Sequence, residues 1–172
     1  MARRFAAALS EHPVTAHAVG EVAGHLLDAV GERPDLVTVF VTPPHAGALE
    51  DVAAALEAIL HPGTLVGCAA VSVVGESREV EEAPALVAWA GRTGPVIPVR
   101  LDRAADALPP AGSDAAALLL VADPFSFDVD TFFGRLDGMP VVGGFASAAR
   151  GPGGNRLVLN GQVFTDGAVG VL

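Results

Sequence analysis

A single thiol, Cys68, falls between a histidine at position 45 and an aspartate at position 123, which are the residue types that nucleophilic catalysis requires. Cys68 could attack as a thiolate, with His45 taking its proton and Asp123 orienting the imidazole, provided that all three fall at strand ends on one sheet edge. The competing reading is a small thiol packed inside a strand. Free cysteine is among the most buried residue types, and no local signature surrounds Cys68, so this second reading is preferred. Asp123 and Ser126 could instead hold the ammonium or hydroxyl group of a small ligand. Arg150 is the nearest fixed cation and could grip a carboxylate with its planar fork. Read as ordinary structural residues, Asp123 opens the turn before Pro124, Asp128 caps a helix, and Arg150 is a surface charge.

In open α/β sheets, ligands gather at the carboxyl ends of strands. Four loops belong there, at 42–47, 67–70, 123–128 and 143–147. Gly67, Gly143 and Gly144 allow close backbone approach, either to a ligand or to a neighbouring strand. Ser147 closes the last loop, and Asn155 ends the flexible turn Gly151-Pro152-Gly153-Gly154; both join the candidate ligand contacts. No lysine occurs anywhere, so the glycine-rich stretches are not phosphate-binding loops. Of the five histidines, His17 and His25 lie on one expected helix, about two turns apart along its axis, too far to share a metal ion. No metal site is expected. Phe125, Phe127, Phe132 and Phe133 form a local aromatic cluster that suits a core, with one or two left to wall a pocket.

These residues need a scaffold, and 172 residues suffice for one domain or one duplicated domain. A formal charge of −10, with ten scattered arginines as the whole basic complement, argues against a nucleic-acid partner. Apolar runs are all shorter than the roughly 20 residues needed to span a bilayer. With one cysteine, no intrachain disulfide can form, which suits a reducing compartment, and a cytoplasmic, bacterial setting is expected.

Hydrophobic spacing predicts a strand at 4–9, then a helix capped by Thr15 on which Val19, Val22, Ala23, Leu26 and Val30 share one face. A buried strand at 36–41 and a second helix bearing Leu49, Val52, Ala53, Leu56, Ile59 and Leu60 follow, then a strand entered at Leu65. The acidic stretch 76–82 reads as a solvated turn. Strands at 85–90 and 96–101 read as an antiparallel hairpin about the turn Gly91-Arg92-Thr93-Gly94-Pro95. After a polar connection at 102–114 come a strand at 118–121, a helix capped by Asp128, a strand at 141–144 and a last strand at 168–171. The order strand, helix, strand, further antiparallel strand occurs twice, over about 35–101 and 117–172. The fold expected is α/β, a mixed β-sheet core flanked by helices and built from two similar β-α-β-β units as a pseudo-duplication. Glycine-bearing strand tips of the two halves are expected to face each other across one cleft. Ending in the apolar run Val169-Gly170-Val171-Leu172, the chain is expected to be a fragment of a longer protein.

Across essentially its whole length the chain resembles the N-terminal region of the FIST family, named for F-box and intracellular signal transduction. The residues that carry the likeness are Pro34-Asp35-Leu36-Val37-Thr38-Val39-Phe40, Leu65-Val66-Gly67-Cys68, Glu79, Asp123-Pro124-Phe125-Ser126, Val142-Gly143-Gly144-Phe145-Ala146-Ser147, the segment 155–162 and Gly167-Ala168-Val169-Gly170-Val171. The family pattern has Ser or Thr after the Gly-Cys pair, where this chain has Ala69. The resemblance implies a small-ligand-binding sensory domain of intracellular signal transduction, with amino acids or related metabolites as ligands. Its partner would be a C-terminal FIST region of the same protein, with neither nucleic acid nor membrane involved. Enzymatic activity is not implied; a hydrolase or transferase using Cys68 is the alternative. Haem occurs as a theme of the family, but no histidine here is singled out for it, so no cofactor is expected.

Overall fold

The β-branched run Leu36–Val41 forms strand β2, which lies at the centre of the first sheet with both faces covered. The computed structural model describes residues 4–108, 117–136 and 138–172. Before β2 come β1 (Phe5–Ser10) and helix α1 (Thr15–Val30). After it come the one-turn helix α2 (Pro43–Ala46), helix α3 (Leu49–Leu60), β3 (Thr64–Ala69), the hairpin β4 (Ser72–Gly75) and β5 (Arg78–Glu81), and β6 (Leu86–Gly91). The remainder comprises β7 (Pro98–Leu101), β8 (Leu118–Ala122), α4 (Val129–Phe133), β9 (Val141–Phe145), β10 (Leu157–Leu159), β11 (Gln162–Phe164) and β12 (Ala168–Val171).

The fold is mixed α/β, and its strands divide between two main sheets rather than one. The first runs β1-β6-β2-β3-β10-β11, the second β7-β12-β8-β9, and β4-β5 stands apart. In the first sheet β2 is antiparallel to β6 and parallel to β3; in the second β8 is antiparallel to β12 and parallel to β9. We propose, on this shared order and direction, that the halves arose by duplication.

Side-chain alternation along the strands sorts the core into three layers. Val37, Val39 and Val41 point to α1 and α3, where they meet Leu26, Leu56 and Leu60. The opposite face of β3 offers Val66 and Cys68 to Val121, Val169 and Val171 of the second sheet. On that sheet's far side, Leu118, Leu120 and Ala122 meet Phe127 and Phe132 beside α4. The molecule thus stacks helices, sheet, sheet and one short helix.

Several local expectations change. Thr15 begins α1 but does not cap it: its hydroxyl lies 2.8 Å from His45 Nδ1, and Val14 occupies the cap position with no side-chain bond. Asp128 does cap α4, its Oδ1 accepting the Thr131 N–H at 3.1 Å. The acidic stretch is not a plain turn, because Val73 and Val80 are buried opposite each other and draw β4 and β5 into a hairpin. β6 and β7 are not partners: β6 lies between β1 and β2, whereas β7 pairs with β12 in the other sheet. Within the connection expected at 102–114, residues 109–114 lie outside those described. Among the described residues no helix is long and apolar enough to cross a membrane.

Candidate functional site

The carboxyl ends of β3, β8 and β9 meet, as the sequence led us to expect, but what joins them is a hydrogen-bonded knot. The Ser147 N–H donates to the Ala69 carbonyl at 3.2 Å, and Ser147 Oγ accepts the Val71 N–H at 3.0 Å. Asp123 is fully buried at the end of β8. Its Oδ1 accepts from Asn155 Nδ2 at 2.8 Å, and its Oδ2 accepts from Ser126 Oγ at 2.6 Å. Ser126 Oγ in turn accepts the Gly167 N–H at 2.9 Å, and Asn155 Oδ1 accepts the Ala149 N–H at 3.0 Å. A buried carboxylate must be matched by donors, and these supply the match.

Asp123, Ser126, Asn155 and Ser147 therefore tie the second sheet to the first. Asp123→Ala would leave the Asn155 amide and the Ser126 hydroxyl without their buried acceptor. We expect a loss of about 3 kcal/mol in urea unfolding, with the m-value unchanged. Arg150 is exposed on the neighbouring loop.

The structure does not assemble a catalytic triad. Cys68 is 2% exposed and faces the apolar layer between the sheets. Burial pushes its thiol up to about 12, which keeps it protonated and without nucleophilic character near neutrality. His45 is bonded to Thr15 at the start of α1, on the helix-bearing side of the sheet. Burial, the largest influence, holds its pKa below the ordinary histidine range; the His12 backbone opposes this, and the His12 charge adds to it. Thiol and imidazole thus lie on opposite faces of one sheet. Among the described residues no group of three or more His, Cys, Asp or Glu side chains is placed to hold a metal ion.

Gly67 and Gly143 do not face each other across a cleft. Gly67 is buried, and a Cβ there would collide with the Val39 carbonyl oxygen, so it serves the close approach of β2 and β3. Gly143, at φ +153°, meets the Leu120 carbonyl of β8 in the same manner. Gly143 differs in also being exposed on its other side.

That exposure opens a groove of about 230 Å³ on the outer face of the second sheet. Leu120 and Ala122 of β8 and Val141, Gly143 and Phe145 of β9 form its floor, by alternation along each strand. Val129 and Phe133 of α4 form one wall, and the Gly144 backbone lies at the rim. Phe127 and Phe132 are buried, whereas Phe133 is 49% exposed. The aromatic cluster therefore divides into core and wall, with Phe125, 44% exposed, in neither. Val129 and Ala122 had no sequence signal that set them apart from core residues. A second hollow of about 430 Å³ runs between α1 and α3, past Thr15, Gly20, Asp51 and Ile59. It contains none of the strand-end residues.

Residues 35–172 match the family described as FIST N domain. An uncharacterized protein of Mycobacterium tuberculosis strain H37Rv is 30% identical over 189 residues, covering 98% of this chain and 47% of that protein. An uncharacterized protein of Mycobacterium bovis is 32% identical over 180 residues, covering 92% of this chain and 44% of its own. The chain thus spans about half the length of these curated relatives.

Proposed function

The chain belongs to the FIST family, and from that membership and the glycine-floored groove we propose that it is a small-ligand-binding sensory domain of intracellular signal transduction. The observation that carries this reading is the groove on the outer face of the parallel pair β8 and β9, where Gly143 withholds a side chain from an otherwise apolar floor. Its volume is below the roughly 300–1,000 Å³ of sites for drug-sized ligands, and so suits a molecule of amino-acid size. Among the described residues no charged side chain lines it. Amino acids and related metabolites with apolar side chains fit best, the side chain packed against Phe133 and the polar end at the open rim. Signalling would pass to a C-terminal FIST region, the partner implied by the family.

A thermal-shift screen of amino acids and small metabolites tests this. A ligand at a hundredfold excess over its Kd adds about 2.7 kcal/mol of stability, a Tm rise on the order of 5–10 °C for a chain of this size. Phe133→Ala, which removes an exposed wall without opening the core, should weaken the same ligand about tenfold or more. A panel without any shift, or a shift that Phe133→Ala leaves untouched, contradicts the proposal.

A further inference from the structure

We propose that β9 pairs with β9 of a second copy of this chain, antiparallel about a twofold axis at Gly143, joining two four-stranded sheets into one of eight. This inference does not depend on the ligand. Among the described residues the second sheet ends at β9, and within that strand Val142 is 63% and Phe145 46% exposed. β3 holds the same place and direction in the first sheet, yet every residue of it is buried. β3 is packed on its faces by α3 and β12, and along its outer edge by β10, which runs antiparallel with Leu157 opposite Cys68, Val158 opposite Gly67 and Leu159 opposite Val66. An apolar antiparallel strand is therefore what completes this kind of edge in this fold.

β9 also lacks the devices that keep edges apart. Its sequence, Val-Val-Gly-Gly-Phe, contains neither charge nor proline, whereas the opposite edge strand β7 begins at Pro98 and carries Arg100. In a chain of net charge −10 most surfaces repel a copy of themselves, but this strand does not. Pairing about Gly143 sets Val141 opposite Phe145 and Val142 opposite Gly144, apolar residues throughout with no like charges facing. Each copy would also lengthen the rim of the other's groove, which Gly144 and Phe145 line.

Light scattering with the purified chain should give twice the 17.3 kDa monomer mass, and amide exchange within 142–145 should slow about tenfold or more as the dimer forms. Val142→Lys places a charge on the exposed edge, keeps a cooperative melting transition, and should return the monomer mass. A wild-type monomer overturns the proposal, whether β9 exchanges fast or is protected by a strand from elsewhere. So does a dimer that survives Val142→Lys or leaves the β9 amides unprotected, since its contact would lie on another surface.

Discussion

Gly67→Ala should destabilise the protein by about 3 kcal/mol or more, although it adds a single methyl group. The new Cβ would meet the Val39 carbonyl oxygen, which is backbone and cannot swing aside as a side chain would. β2 and β3 would have to separate at their mid-point, where Val39 stands opposite Gly67, and β3 is buried on both faces. Gly144→Ala is the matched control, because a Cβ at Gly144 meets nothing within 4 Å. Its effect should stay within about 0.5 kcal/mol. Urea midpoints measured with unchanged m-values check the pair. Equal, small losses at both positions would mean that the two strands do not approach as described.

Alkaline pH should destabilise the protein through one group. Burial raises the Cys68 pKa from 9.0 to about 12. Between those values the unfolded chain gives up its thiol proton and the folded chain keeps it, so stability is full below pH 9 and falls as pH rises. The loss reaches about 4 kcal/mol by pH 12. The sequence makes the measurement unusually clean: it contains no tyrosine and no lysine, and arginine stays charged throughout this range. Cys68→Ala should abolish the slope between pH 9 and 11 after an initial loss from the small cavity. A wild-type curve that stays flat, or a slope that survives in the variant, would place the thiol outside the core.

The elements that could be read from the sequence were those whose signal is local. The spacing of Val19, Val22, Leu26 and Val30 gave α1, and the run Leu36–Val41 gave a strand buried on both faces. The pairing of β6 could not be read locally, because the turn after Gly91 resembles a hairpin while the partners are β1, five residues from the start of the chain, and β2. The β10-β11 hairpin did carry a signal, Asn160-Gly161, and both residues adopt the positive φ of a tight hairpin turn at 47° and 74°. Its partner strand β3 lies some ninety residues earlier, and no local pattern names it.

The site shows the same limit. Asp123, Ser126 and Ser147 lie in the strand-end loops where the sequence puts them, and Asn155 reaches them from the turn before β10, yet only the tertiary structure reveals that their polar atoms satisfy one another. A sequence shows that polar residues will meet, not whether a ligand is needed to complete them. Gly67 and Gly143 looked alike for a comparable reason: each meets a neighbouring carbonyl, but only β9 has an open side.

Under the proposed function, a small molecule is held in the groove of β9 and α4. Titration of ¹⁵N-labelled protein with the strongest ligand from the stability screen tests this directly. The amide signals of Phe133, Gly143, Gly144 and Phe145 should move together with one binding constant, and those of Asp123 and Asn155 should stay in place. Movement centred on Thr15, Gly20 and Asp51 instead, with the β9 signals still, would put the ligand between α1 and α3 and contradict the account.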